Sequence, residues 1–331
     1  MAKKKAATAD EKLEGAISEL EGMFGDGVVM KLDSKNIAKV EAISTGSIGL
    51  DKALGIGGVP EGRIIEIYGK ESSGKTSLAI SIAREGQKKH KDKSIAYIDA
   101  EHAFDYQYAK DIGLDLDRMI FSQPDYGEQG MDVVLKCVES GAFSVIVVDS
   151  VTALTPKSEV EGEMTDQNIG LLARIMSKGL RKLAGPASAT GTTVIFINQV
   201  RANIGAMGYG PKETTTGGNG LKFFSSVRID ARVIKKEEDF VRVKTKVVKN
   251  KVAPPFREAE YDIQFGKGIS IIGEVLDYGV QFGVVVKKGA WYYYGDRTIG
   301  QGRENAKITL EEDEEFLNEI KDQIMKTIKG E

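Results

Sequence analysis

Cysteine, histidine and tryptophan are almost missing from this chain, whose 331 residues include one Cys, two His and one Trp. A lone Cys137 excludes an intramolecular disulfide, and two histidines beside it leave no Cys/His zinc set. Long apolar runs are missing too. None approaches the roughly 18 residues that cross a bilayer, and Met1–Lys5 is not followed by a signal-peptide core. The cytoplasm is therefore the expected compartment, with no membrane partner. A large net charge is also lacking, with 46 Lys+Arg against 49 Asp+Glu. At 41% hydrophobic and 29% charged residues, the composition excludes global disorder, and the length predicts two or three domains with at least one large core.

The near balance of charge conceals local asymmetry. Ala231–Lys251 holds eight basic residues against three acidic ones, and Glu304–Glu331 holds nine acidic against four basic. Such separation fits a polyanion site moderated by an acidic segment elsewhere, or simply two solvated faces.

Along the chain, residues 1–9 are Lys/Ala-rich and expected to fray. Leu13, Ile17, Leu20 and Phe24 then recur at helical spacing and predict an amphipathic helix ending near Gly25-Asp26-Gly27. One helix cannot bury its own stripe, so it should dock on its own core or on a neighbouring subunit. Arg63–Tyr68, Ser94–Ile98, Ser144–Val148 and Thr193–Ile197 are short apolar runs separated by helix-length segments. That alternation predicts an α/β fold with a mainly parallel sheet covered on both faces. Glycines at Gly205–Gly210 and Gly217–Gly220 predict a long loop, and Val227–Val233 and Arg242–Val248 alternate like further strands. After Phe265-Gly266-Lys267-Gly268 comes a compact unit with an aromatic strand, Trp291–Tyr294, and a final helix near Glu314–Ile328. The expected division is a helix/strand lobe over 1–38, a nucleotide-binding core over 39–270 and a small α+β domain over 271–331.

Gly69-Lys70-Glu71-Ser72-Ser73-Gly74-Lys75-Thr76 matches G-x-x-x-x-G-K-[ST] between a predicted strand and a predicted helix, Ser77–Lys88. In such a loop the glycines let backbone N–H groups converge on phosphates at a helix N-terminus. Lys75 should reach the β/γ-phosphates, and the Thr76 hydroxyl should hold Mg²⁺. Other strands also end in polar residues where α/β sheets bind ligands. Asp149-Ser150 supplies a second metal-orienting carboxylate, Asp99-Ala100-Glu101 a carboxylate for a water, and Asn198-Gln199 an amide to sense the γ-phosphate. These residues alone point to a Mg-nucleoside-triphosphate hydrolase.

Ala42–Ser47, Gly69–Thr76, Ile98–Ala103, Val147–Val151, Phe196–Arg201, Glu213–Asn219 and Lys246–Lys251 resemble the bacterial RecA recombinases in consistent order over about residues 10–310. The resemblance implies a homo-oligomeric filament on single-stranded DNA that hydrolyses ATP with Mg²⁺, captures duplex DNA and exchanges strands in repair. It also admits repressor or loader proteins as partners. It implies catalytic roles for Glu101 (water), Lys75 (phosphate) and Gln199 (γ-phosphate to DNA). Nucleotide contacts fall to Gly69, Glu71, Ser72, Ser73, Gly74, Lys75, Thr76 and Ser77, with Asp105 and Tyr108 at the adenine and Thr76 and Asp149 at the metal. Lys249 and Lys251 would reach ATP across a subunit interface, and Phe223 would help couple it to DNA. The two DNA segments would be Glu159–Gly170 and Val200–Thr215. DNA contacts would come from Arg174, Arg181, Arg201, Ile204, Gly217, Gly218, Asn219, Lys288 and Arg303.

Periodicity supports part of this independently. Leu172, Met176, Leu180 and Leu183 share a narrow stripe at about 100° per residue, with Arg174, Lys178, Arg181 and Lys182 on the other side. Ile204, Met207 and Tyr209, interleaved with glycines, suit wedging between or stacking on bases. His90, His102 and Cys137 read as structural, and Trp291–Tyr294 as small-domain core. The chain departs from the family pattern at Lys70, where proline is usual and which should add charge near the nucleotide, in a second DNA segment one residue longer with Ala202 and Asn203, and in a short C-terminus in which Glu311–Glu315 remains acidic without the extended acidic tail of many relatives. These departures predict weaker or more salt-sensitive DNA binding and less self-inhibition of duplex binding. A ring-forming motor and a non-catalytic DNA-coating filament are the competing readings.

Overall fold

The structure is a computed structural model that describes residues 8–25, 28–29, 40–163, 170–202 and 213–329. The chain forms two compact units, Met1–Lys39 and Val40–Glu331.

In the first unit, α1 (Ala9–Phe24) opens with a reciprocal cap: Thr8 Oγ1 accepts from Glu11 N–H, and Glu11 Oε2 accepts from Thr8 N–H at 2.8 Å. It ends at Gly25, where it was expected to end, and has no buried residue. The strand expected in this lobe lies outside the described residues.

In the second unit, β1 (Ala42–Ile43) pairs antiparallel with β2 (Val59–Pro60) across α2 (Ile48–Leu54). The main alternation follows: β3 (Ile64–Gly69), α3 (Lys75–Lys89), β4 (Ser94–Asp99), α4 (Tyr106–Asp111), β5 (Met119–Ser122), α5 (Gly127–Ser140), β6 (Phe143–Asp149), α6 (Lys157–Glu161), α7 (Leu171–Thr190) and β7 (Thr193–Ala202). Next come β8 (Glu213–Thr215), α8 (Gly220–Phe224), β9 (Val227–Lys236), β10 (Phe240–Asn250), β11 (Glu258–Gln264) and β12 (Gly268–Ile269). The sheet runs β12-β11-β10-β9-β3-β7-β6-β4-β5, parallel from β9 to β5 and antiparallel from β9 to β12, with β8 antiparallel on β7.

Both faces of the sheet are apolar because alternate strand residues bury in opposite directions. Ile65, Ile67, Tyr97, Val145 and Val147 pack with Leu78 and Ile82 of α3. Ile64, Ile98, Ile146, Val148 and Phe196 pack with Val134 of α5 and Met176, Leu180 and Leu183 of α7. Register then aligns the strand ends: Gly69 lies beside Gln199, and Asp99 beside Asp149.

The chain closes with α9 (Ile271–Gln281), β13 (Val286–Lys288), β14 (Trp291–Tyr294), β15 (Arg297–Gln301), α10 (Arg303–Glu312) and α11 (Glu314–Lys329), around Val275, Leu276, Ile299, Leu310 and Ile320. This part is hydrogen-bonded into α2. Glu274 of α9 accepts from Ser47 Oγ at 2.8 Å and from Ile48 N–H and Gly49 N–H at 3.1 Å, capping α2 from a distant segment. Among the described residues no helix is long and apolar enough to cross a membrane.

Several expectations change. Strand β5 was not foreseen, and α3 starts two residues early, at Lys75 rather than Ser77. The long glycine loop is interrupted by β8 and α8, although 203–212 lie outside the described residues. Much of the basic stretch is paired with acids. Arg242 pairs with Asp262 at 2.7 Å and Lys244 and Lys246 share Glu258, because the adjacent antiparallel strands β10 and β11 set these charges across from one another, and Lys235 meets Glu237 locally at the end of β9. Trp291 is exposed whereas Tyr292 is buried, so only part of the aromatic strand is core. The acidic Glu311–Glu315 form the junction of α10 and α11, where Glu311 pairs with Lys267 and Asp313 with Arg297.

Candidate functional site

β3 ends at Gly69, and α3 begins after Gly74, which is left-handed (φ 80°). Ser72 is left-handed as well (φ 55°), and such residues turn successive N–H groups toward one side. A Cβ on Gly69 would strike the Ala231 carbonyl of β9, so close approach demands glycine there, whereas at Gly74 it is the left-handed backbone that favours glycine. The buried Ser73 hydroxyl has no hydrogen-bond partner, an orphan donor within the cradle. A cleft of about 580 Å³ opens here, lined by residues 72–77 and Tyr108 together with Lys236, Phe265 and Gly266.

Lys75 Nζ donates to the Lys70 carbonyl at 2.7 Å. Burial lowers the Lys75 pKa, against the pull of Asp149, Glu101 and Glu71. Asp149 Oδ2 accepts from Tyr97 Oη at 2.7 Å and from Thr76 Oγ1 at 2.9 Å. Burial raises the Asp149 pKa, these two donors oppose the rise, and Glu101 and Asp99 reinforce it. Thr76 and Asp149 thus form an all-oxygen pair that fits a hard divalent cation completed by phosphate and water. Together with the orphan Ser73 hydroxyl, the cradle fits a Mg-triphosphate.

The two carboxylates at the end of β4 do different work. Asp99 is buried and accepts from Ala103 N–H, Phe104 N–H and Gln123 Nε2, fixing the turn. Glu101 is exposed; one oxygen accepts from Ser150 Oγ and from Gln199 Nε2, the latter at 3.2 Å. The ends of β4, β6 and β7 therefore meet at a single carboxylate. Gln199 follows Asn198, whose Nδ2 donates to Glu66 Oε1 at 2.9 Å and to the Thr216 carbonyl at 3.0 Å. Glu66 is fully buried, and its other oxygen accepts from Arg228 Nε at 2.5 Å. Sequence reasoning missed Ser150, Glu66 and Arg228. Glu66 had a readable signal, since a charge inside an apolar parallel strand demands a buried partner.

Tyr108 Oη lies 2.6 Å from Ser77 Oγ, burial raises its pKa, and Asp105 Oδ1 caps α4 by accepting from Tyr108 N–H at 2.9 Å. Lys70 and Glu71 do not line the main cleft. Lys70, expected to add charge near the nucleotide, instead lies 3.5 Å from Glu213 of β8. Lys249 and Lys251 are also off the cleft. Lys249 Nζ donates to the Lys222 and Phe223 carbonyls at 2.6 and 3.0 Å, and Lys251 Nζ to the Phe223 carbonyl at 3.4 Å. Burial lowers the Lys249 pKa, with Lys251 and Arg228 adding to the effect. Phe223 itself is 70% exposed.

Arg174, Lys178, Arg181 and Lys182 are exposed on α7, away from buried Met176, Leu180 and Leu183, and none pairs with an acid among the described residues. Arg201 is exposed near the end of β7, while Ile204, Met207 and Tyr209 lie outside the described residues, as do 164–169 of the first segment. Gly217 (φ 80°) and Gly218 (φ 73°) turn the chain against Val151 and Ala173, and Asn219 precedes α8. Lys288 is exposed beside the Tyr293 ring. Arg303, expected to be available for duplex DNA, already pairs with Asp277 at 2.8 Å.

A phosphate loop on a central parallel strand, with carboxylates and an amide at the neighbouring strand ends, defines a nucleoside-triphosphatase core. Comparison with known proteins narrows this. The RecA N-terminal domain matches residues 11–270 and the RecA C-terminal domain residues 273–329. The chain is 56% identical to Protein RecA of Sulfurimonas denitrificans over 323 residues, covering 96% of this chain and 93% of that protein. It is 57% identical to Protein RecA of Nitratiruptor sp. (96% and 93% covered) and 57% identical to that of Wolinella succinogenes (95% and 90%). The chain belongs to the RecA family. Its activity is accordingly that of an ATP- and Mg²⁺-dependent DNA recombinase, a DNA-dependent ATPase that forms filaments and binds single- and double-stranded DNA.

Proposed function

We propose that Glu101 orients and deprotonates the attacking water, and that Gln199 reports DNA to it. The observation that carries this is the hydrogen bond from Gln199 Nε2 to Glu101, made from the strand that leads into the second DNA segment. A shift of β7 on DNA binding re-aims Gln199, freeing or positioning the carboxylate that it shares with Ser150. Lys75 and the backbone of residues 69–76 hold the phosphates, and Thr76 with Asp149 holds Mg²⁺, which neutralises charge on the phosphates when bound. Asp105 and Tyr108 face the base, and Ser77 at the start of α3 holds the Tyr108 hydroxyl.

Lys249 and Lys251 act on a neighbour's nucleotide, a reading supported by their position off the cleft and beside exposed Phe223. The exposed basic face of α7, with Arg174 and Arg181, tracks the DNA backbone, assisted by Arg201 and the Gly217–Asn219 turn. Lys288 belongs to duplex capture, and Arg303 joins it by exchanging Asp277 for a phosphate. The working division is a 1–38 oligomerisation lobe, a 39–270 ATPase core and a 271–331 domain, acting in the cytoplasm.

The test is ATP hydrolysis with and without single-stranded DNA, for the natural chain and Glu101→Gln. DNA stimulation that falls at least 100-fold in the variant while nucleotide binding persists is the expected result. Equal turnover with and without DNA in the natural chain refutes the coupling.

A further inference from the structure

Lys70 is absent from the lining of the nucleotide cleft. It lines two smaller cavities instead, one of about 250 Å³ with Glu213 and Arg232, the other of about 420 Å³ with Glu213, Gln199 and Arg201. Its Nζ lies 3.5 Å from Glu213 Oε1, while Arg232 Nη2 lies 3.5 Å from Glu213 Oε2 and is itself gripped by Asp230 at 2.9 Å. Glu213 is the first residue of β8 and pairs with Ala202 at the end of β7, so it stands where both strands of this ribbon leave for residues 203–212. The backbone of the same lysine faces the other way: its carbonyl accepts from Lys75 Nζ at 2.7 Å. One residue thus touches the phosphate-binding lysine with its main chain and the stem of the second DNA segment with its side chain.

We propose that Lys70 is a positioning residue that ties the β7–β8 stem to the phosphate loop through Glu213, so that phosphate bound at the loop loosens the stem for DNA. The proposal rests on the reading of residues 200–215 as a DNA-binding segment. The physics is competition. A phosphate oxygen draws the Lys75 ammonium from the Lys70 carbonyl and attracts the Lys70 ammonium away from Glu213, which keeps Arg232 as its partner among the described residues. This route runs beside the Gln199–Glu101 contact and shares no side chain with it.

The tie is an exposed pair, Lys70 being 76% exposed, so its effect is about two- to fivefold and shrinks with salt. The measurement is the affinity of the full chain for a fluorescein-labelled oligo-dT, with and without a non-hydrolysable ATP analogue and Mg²⁺. Lys70→Gln, Glu213→Gln, the double variant and Lys70→Arg are compared with the natural chain, after circular dichroism shows each to be folded. The expected result is tighter nucleotide-free binding and a two- to fivefold smaller nucleotide effect in each Gln variant, no further change in the double variant, and recovery in Lys70→Arg. A natural chain that responds to nucleotide, with single variants that respond equally or whose effects add, overturns the tie and leaves the functional reading standing. A natural chain whose DNA affinity ignores nucleotide overturns the functional reading, and the tie with it.

Discussion

Replacing Glu66 separates what the buried charge network does for stability from what it does for coupling. Glu66 is inaccessible to solvent, and Arg228, only 14% exposed at its side chain, is bound to it at 2.5 Å. Glu66→Leu removes the acid and leaves a guanidinium with no counter-charge at this depth. Breaking such a pair by one partner costs about 3–5 kcal/mol. The double change Glu66→Leu/Arg228→Met removes both charges, and replacing a buried pair by apolar groups is neutral to favourable, so about that much stability should return. Function should not return with it. Asn198 Nδ2 keeps the Thr216 carbonyl but loses Glu66, so the side chain whose oxygen fixes the Gln199 N–H is less firmly set. Urea unfolding followed by circular dichroism reads the stability, and DNA-stimulated ATP hydrolysis reads the coupling. The double variant should unfold near the natural midpoint with DNA stimulation reduced about tenfold. Full stimulation in a stable double variant refutes the claim that Glu66 positions Gln199, and a single variant within about 1 kcal/mol of the natural chain refutes the uncompensated-charge argument.

Two further outcomes follow from charges elsewhere. Removing Lys178 on α7, the cation between Arg174 and Arg181, should lower the slope of log affinity against log salt for single-stranded DNA by about 0.7, and an unchanged slope would take Lys178 off the DNA path. Burial raises Glu274 to about 8 against its hydrogen bonds to Ser47, Gly49 and Ile48, and raises Asp51 to about 7 against Ser44, Thr45 and the Lys321 charge. The folded chain therefore keeps protons that the unfolded chain releases above about pH 4–4.5, so stability should fall as pH rises from about 5 to 8. Urea midpoints across that range should show the decline, and Glu274→Gln should flatten it; a midpoint rising with pH would contradict it.

Much of this arrangement was legible because burial writes itself into strands as unbroken apolar runs. RIIEIY, SIAYI, SVIVV and TVIFI all became parallel strands, and the glycines of the phosphate loop marked the turn between β3 and α3. β5 escaped because Met119–Ser122 is short and its residues are only partly buried, or exposed at Ile120, leaving a weak pattern. What sequence periodicity does not carry is the pairing of charges across register. Lys244 is 14 positions from Glu258 in the chain but beside it in the sheet, which turned a basic run into a paired face. Lys70 and Glu213 meet only because β8 folds back on β7 next to the phosphate loop. Glu101 and Gln199 were named from strand ends, whereas Ser150, sharing the same carboxylate, needed the geometry.

The two family matches divide at residues 270–273, yet the hydrogen bonds ignore that seam. The cap on α2 comes from Glu274, a side chain encoded more than 220 residues later, and Ile48 of α2 lies in the apolar cluster of the C-terminal part. The N-terminus of α2 cannot be satisfied by its own neighbourhood alone. The two matched segments are therefore not interchangeable modules. Ser47 caps the Leu50 N–H locally, but a chimera that borrows its C-terminal part from elsewhere satisfies the Ile48 and Gly49 N–H groups only if the borrowed helix brings an acceptor to the place that Glu274 occupies, so recombination between lineages at this boundary is constrained by a single carboxyl group.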